Sequence, residues 1–475
     1  MSRISTDRPS ADRGTRAGDG PFRRAIAVTV AVLLALVCTF IALDYFQGPK
    51  LSSTQIDTSK VVAQTGQQLR LFADQNLATV AKSQVTVRPA AAFTVSTAGQ
   101  SIAVQFTQRL DYATSYSVTV RGVTSAYQDQ AQTFRYGFTT PHAELYYLDR
   151  ADPASGAVND DEIIRSSLRG TGRTVVYSAP HIQAFAAFPA VLAVVSLAGD
   201  GTSALTLASL DGGALERIVL PGPGTIQGLQ ASPAVGLLGF EFTSTGPASG
   251  RTYDSTLMTV DLGGAHTVQP VVGLDSKPLG VSDWLFLGGG ENIVVQKFDQ
   301  TVLLLDPSKP GSITPLGQFA ELDNSSPDGS SIVVADAIGR MTLSIATAKT
   351  TRIPVLEVGR QHTFGGQLEL LGSGTARVQK VAVTGTGDAY VSLLVYEDGT
   401  SARILYRTVD DRGSIDDFRV SPNGQYVAIS TVPDVSSSVS DGYAVNPKST
   451  SITTVFVDIA TGNVVRSVTG FDVDW

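Results

Sequence analysis

The chain has 475 residues, 43% hydrophobic and 16% charged, with 46 Gly, 22 Pro, a single Cys and a formal net charge of −8. A charged share far below the usual level of about 25%, together with so much Gly, excludes a coiled coil or a disordered polyelectrolyte. One Cys excludes a disulfide-stapled ectodomain and any Cys-based zinc site, and the length suits about three domains of roughly 150 residues, or one large repeat domain plus a smaller one.

The first predicted element is a membrane span. Ala25 to Leu43 reads AIAVTVAVLLALVCTFIAL, 19 consecutive residues without a charge, Gly or Pro. As a helix rising about 1.5 Å per residue it is roughly 28 Å long, close to the hydrocarbon thickness of a bilayer. Before it, residues 1–24 carry Arg3, Arg8, Arg13, Arg16, Arg23 and Arg24 against Asp7, Asp12 and Asp19. The positive-inside rule predicts that this basic tail is cytoplasmic and that everything after Asp44 is extracytoplasmic, with Tyr45 and Phe46 in the far interface. A signal peptide has a shorter apolar region, about 7 to 15 residues, and needs a small-x-small cleavage site, which the sequence after Leu43 does not offer. Lipidation at Cys38 would want a small residue before it, and Ala35-Leu36-Val37 does not supply one. The expectation is therefore an uncleaved single-pass anchor in the cell membrane. Beyond it the charge is −8 less the tail's +3, about −11, with no basic stripe. Nucleic acid is excluded as a partner on that ground.

After Gly48-Pro49, short β-branched alternating runs predict strands at Gln68 to Phe72, Gln84 to Arg88, Phe93 to Ser96, Ser101 to Phe106, Ser115 to Val120 and Phe134 to Thr139. Ile102, Val104 and Phe106 share one face; so do Tyr116, Val118 and Val120. That many strands in about ninety residues predicts a small sandwich. The run Val85-Thr86-Val87-Arg88-Pro89, Phe93-Thr94-Val95, Ile102 to Phe106, Leu110, Tyr116 to Val120 and Phe138-Thr139-Thr140-Pro141 resembles the bacterial surface-layer type (SbsA-like) Ig-like domain. Such domains act as spacers or adhesion modules, so the resemblance implies presentation rather than chemistry. The Cys-Trp-Cys hallmark of antibody-type domains is absent.

From His142 to Trp475 the chain repeats itself. Ser421-Pro422-Asn423-Gly424 followed by Gln425 to Ser430 is echoed by Ser326-Pro327-Asp328-Gly329, and more faintly at Ser232-Pro233 and Phe188-Pro189. In each, a turn precedes an alternating apolar strand. About thirty residues further on come strands ending in acidic turns, as in Leu304-Leu305-Asp306-Pro307, Met258 to Gly264 and Phe456 to Asn463. A unit of about 40 to 50 residues with this content is a propeller blade, and 334 residues give about seven blades, six and eight being the alternatives. Glu144 to Asp149, Ile163 to Arg165 and Thr174 to Ser178 supply three strands, and Gly470 to Trp475 is expected to complete the first blade. The Ser-Pro-x-Gly runs resemble the TolB or WD40-like β-propeller class, without the Trp-Asp and Gly-His signatures of strict WD40 repeats.

The fold expectation is thus one N-terminal transmembrane helix and an all-β ectodomain: an Ig-like β-sandwich at 50–141 and a β-propeller at 142–475. No catalytic, cofactor-binding or metal residue can be assigned. His142, His181, His266 and His362 lack any zinc-site spacing; Gly372-Ser373-Gly374-Thr375 is not a nucleophile elbow; Gly288-Gly289-Gly290 reads as a hairpin turn rather than a phosphate loop. Asn159-Asp160-Asp161-Glu162, Asp410-Asp411 and Asp416-Asp417 miss the calcium-loop pattern and read as solvated turn faces. Pro433 to Tyr443, Ser-rich and apolar-poor, reads as a mobile loop projecting from a blade. The expected function is an envelope protein presenting its propeller as a binding platform for an envelope protein or cell-wall component. The alternatives are a propeller enzyme acting on glycans or lactones, which would need three or more acidic or His residues converging at one mouth of the ring, and a sensory ectodomain working through a membrane partner.

Overall fold

A computed structural model describes residues 20–45, 48–151, 160–246, 251–309, 311–359, 361–372, 376–384 and 390–475. Most of the basic tail, Phe46, Asn159 and Ser373-Gly374-Thr375 lie outside the described residues. Helix α1 (Gly20–Tyr45) contains, at Phe22–Thr39, a fully exposed span that is long and apolar enough to cross a bilayer. Its hydroxyl groups return to the helix: Thr29 Oγ1 donates to the Ala25 carbonyl at 2.9 Å and Thr39 Oγ1 to that of Ala35 at 2.7 Å. Such back-bonding hides polar atoms that lipid could not satisfy.

The remaining chain forms two compact units. The first contains residues up to Ile56, Gln68–Gln105 and Ser117–Gly137; the second contains Asp57–Gln67, Phe106–Tyr116 and Phe138–Trp475. The first unit is built on two antiparallel sheets. One has the order Leu51–Gln55, Gln68–Ala73, Ser101–Phe106, Phe93–Ala98, and the other Val85–Arg88, Ser115–Ser125, Gln128–Thr139. Alternation makes each sheet one-faced: Leu69, Leu71, Ile102 and Val104 are buried from the first, Val85, Val87, Val118 and Val120 from the second.

Among the described residues the second unit contains seven antiparallel sheets, consecutive along the chain. The first runs Thr174–Ala179, Asp161–Ser167, Glu144–Asp149 and is closed by the last strand, Phe471–Asp474, with Phe471 opposite Leu148 and Asp474 opposite Tyr146. The other six begin with Ile182–Ala187, Gly224–Ser232, Asp283–Phe286, Glu321–Ser325, Gln361–Leu371 and Ser414–Val420; in the sixth sheet, Glu357–Val358 adds a short flanking strand. Successive members of this set contact one another, and Phe471–Asp474 contacts both Ile182–Ala187 and the seventh sheet. These inner strands therefore close a ring, and the unit is a β-propeller. Its core lies between neighbouring sheets: Phe188, Leu205, Phe240 and Met258 join the second sheet to the third, and Ile415, Phe418, Val427 and Val378 the seventh to the sixth. Each such side chain contributes about 1.5–3 kcal/mol.

The repeated turns join inner strand to second strand. Ser326 Oγ receives the Ser331 amide at 3.1 Å and Gly329 N donates to the Ser326 carbonyl at 2.9 Å. Ser421 and Gly424 repeat this, with Tyr426 N on Ser421 Oγ at 2.9 Å. Gly329 and Gly424 have φ of 69° and 75°, a conformation that favours glycine. Gly288-Gly289-Gly290 does form the hairpin between Asp283–Phe286 and Ile293–Gln296.

Candidate functional site

The inner strands bring together charged residues that are scattered in sequence. Asp283, Asp323, Glu369, Asp417, Arg419, Asp472 and Asp474 stand on the inner strands of the fourth to seventh sheets and on the closing strand. Desolvation raises the Glu369 carboxyl to about 8, opposed by the Val420 amide it accepts at 3.1 Å. Asp283 rises to about 6 and Glu241, on the second strand of the third sheet, to about 7, for the same cause and with Asp283 adding repulsion to Glu241. Burial also raises Asp323, Asp472 and Asp474. Most of these groups are engaged: Asp323 by Arg340 at 2.9 Å, Asp472 by Arg419 at 3.2 Å, Asp474 by the Ala187 amide at 2.7 Å. Glu369 feels the charges of Asp417, Arg419 and Asp323, yet no three His, Cys, Asp or Glu among the described residues are grouped to hold a metal ion.

The opposite arc is roofed by a strap. The segment from Pro433 to Thr450 does not project freely; Arg150 ties it down. The Arg150 guanidinium pairs with Asp441 Oδ2 at 2.6 Å, both side chains almost fully buried. It donates also to the carbonyls of Asn446, Ile182 and Gln183 at 3.0, 3.1 and 3.0 Å, and lies 4.0 Å over the Tyr443 ring and 5.0 Å over Phe471. Each nitrogen of the fork donates, which is what makes a buried ion pair tolerable. Tyr443 Oη donates to Asp161, and Lys448 Nζ reaches Asp416 at 2.6 Å. Burial and the Asp161 carboxylate push the Tyr443 phenol well up.

Two of the predicted solvated clusters are thereby corrected. Asp161 is buried and accepts the Ala151 and Ile182 amides at 2.9 and 2.8 Å besides Tyr443, and Asp416 anchors the strap. Asp410-Asp411 does remain at an exposed turn. Of the histidines, His181 stacks edge-on against Tyr443 at 5.6 Å, and His266 bridges Glu216 at 2.8 Å and the Leu262 carbonyl at 3.0 Å, which raises its pKa. The arc carboxylates and Arg150 had no sequence signal beyond residue type.

No family model and no curated protein matches the chain. Among solved structures it is similar to TolB from Acinetobacter baumannii, at 14% identity and TM-score 0.38, covering 82% of this chain and 81% of that one. It is similar also to the propeller domain of the trilobed protease from Pyrococcus furiosus, at 11% and 0.43, covering 74% and 91%. A third likeness is to the periplasmic gluconolactonase of Pseudomonas aeruginosa, at 15% and 0.41, covering 69% and 96%. The ring of antiparallel sheets makes the chain a β-propeller protein.

Proposed function

We propose that the chain is a single-pass envelope protein, with residues 1–24 cytoplasmic, α1 crossing the membrane, an Ig-like sandwich at 50–141 as spacer and a seven-bladed propeller at 142–475 as an extracytoplasmic platform for a protein partner. The apolar α1 supports the tether, and the two one-faced sheets and the seven-sheet ring support the architecture. The observation that carries protein binding is an exposed aromatic pair on the sixth sheet. Phe364 and Tyr390 are 58% and 54% exposed, yet pack edge-to-face with centroids 5.5 Å apart. Loops hydrogen-bonded to this edge add Ile338 and Val355, both exposed: Arg340 reaches the Gly365 carbonyl at 3.3 Å and Thr363 Oγ1 bonds to Leu356. Exposed paired aromatics are the anchors that protein interfaces bury.

In-cell crosslinking of the full chain, read by mass spectrometry, tests the reading. Specific crosslinked partners should disappear in Phe364→Ser/Tyr390→Ser while the protein level is unchanged. An identical set of crosslinks in the variant would refute it.

A further inference from the structure

A cavity of about 300 Å³ lies under the strap, between the inner strands of the second and third sheets. Its polar lining is three side-chain amides, Gln183, Gln227 and Asn446, and its apolar lining includes Val195, Ile226 and Val445. Among the described residues no charged side chain lines it. Gln183 is 4% exposed and its Oε1 has no hydrogen-bond partner among the described residues. A buried carbonyl without a donor is costly. Gly228 also lines the cavity, with φ of 56° at a bulge in the third sheet's inner strand. A Cβ there would stand 3.0 Å from Glu241 Oε1 and 3.2 Å from Trp284 Nε1, so a side chain at this positive φ would be strained and would crowd both neighbours. Trp284 Nε1 is a second buried polar atom without a partner among the described residues.

From this arrangement we infer that the cavity binds a neutral, hydroxyl-rich small molecule of mono- to disaccharide size, held by the Gln183, Gln227 and Asn446 amides. The volume falls at the small end of the range for ligand sites, about 300–1,000 Å³. Amides both donate to and accept from hydroxyls, and none of the three carries the positive charge that would neutralise an anion. The half-buried Ala184, Leu229 and Val445 offer an apolar surface to the C–H face of a sugar ring. The acidic arc across the ring disfavours anions further. The strap is part of the site, since it contributes Asn446 and Val445 and is clamped by Arg150 through the Asn446 carbonyl. The inference goes beyond protein docking at Phe364 and Tyr390, which lie on another sheet.

The test uses the full chain in lipid nanodiscs free of sugar-headed detergent, probed by ligand-observed NMR with glucose, N-acetylglucosamine, chitobiose and glucose 6-phosphate. At least one neutral sugar should bind, glucose 6-phosphate should bind more weakly than glucose, and Gln183→Leu should weaken binding about tenfold. The exposed Gln227→Ala, which leaves the core untouched, should weaken it as well, and Phe364→Ser/Tyr390→Ser should leave it unchanged. No saturation transfer from any neutral sugar, tighter binding of the phosphorylated one, or unchanged affinity in both amide variants would each overturn the inference. A cavity that holds only water gives the first of these results, with Gln183→Leu more stable than the parent protein.

Discussion

The two arcs of the propeller's inner ring solve the same problem in opposite ways. From the fourth sheet round to the closing strand, carboxylates crowd together and are raised by desolvation, held by Arg419, Arg340 and backbone amides. Over the second and third sheets the ring carries amides and is covered by a strap whose charges are sealed in one buried pair, Arg150 with Asp441. Crowding like charges on one arc, and neutralising charge in a buried pair on the other, leaves one arc electrostatically strained and the other mechanically fixed. Stability of the first should depend on pH, and that of the second on single contacts.

The largest effect is expected on the strapped arc. Asp441→Ala leaves the Arg150 guanidinium buried without its carboxylate, which costs about 3–5 kcal/mol, and limited proteolysis should then cut within 433–450. If denaturant unfolding shifted by less than about 1 kcal/mol, the strap would count as surface decoration and the contrast between arcs would fail. Next comes Gly239→Ala, whose Cβ would meet the Trp284 ring at 2.3 Å. Overpacking of that kind costs about 1–3 kcal/mol, read as a lowered Tm, and unaltered melting would show that the wall behind the cavity is loose.

The acidic arc should respond to pH instead. A carboxyl whose folded pKa lies above its unfolded value favours the folded state at low pH. That contribution is complete below about pH 4 and is lost as pH rises towards the folded value, about 8 for Glu369. Glu369→Gln should therefore stabilise the protein at pH 8 and not at pH 4, by on the order of 1 kcal/mol after allowance for solvent screening. Equal stability of variant and parent at pH 8 would mean that the arc carries no strain. Smallest is the effect at His266, outside both arcs. Its raised pKa gives a stabilisation present below about pH 6.5 and lost as pH rises through the folded value, worth less than about 0.5 kcal/mol in His266→Gln. A loss as large as that of Asp441→Ala would contradict the view that surface ion pairs here matter little.

Which parts were legible beforehand follows the range of the interactions. Alternation placed Ser101–Phe106 residue for residue, the Ser-Pro-x-Gly turns marked the junctions of inner and second strands, and the closing strand was expected from the unpaired chain ends. Leu51–Gln55 was missed because an exposed, polar edge strand has no apolar face to show. Asp161 and Asp416 were read as solvated because nothing local distinguishes a turn aspartate from one that will meet Tyr443 or Lys448 far along the chain. The strap was misread for the same reason: its Ser-rich composition does predict that it cannot make a core of its own, but its clamp, Arg150, lies 291 positions from Asp441. Glu369 becomes a perturbed acid only when the ring closes around it.

The most direct test of the central claim, that Pro433 to Thr450 is a fixed roof over one arc rather than a free loop, is residue-resolved hydrogen–deuterium exchange on the full chain in nanodiscs. The amides of Asp441 and Thr450, bonded to the Lys448 and Val439 carbonyls at 2.8 and 2.9 Å, and that of Lys448, bonded to Asp441 Oδ1 at 3.1 Å, should exchange slowly and lose that protection in Asp441→Ala. Exchange of all three at the rate of an unstructured peptide in the parent protein would contradict it.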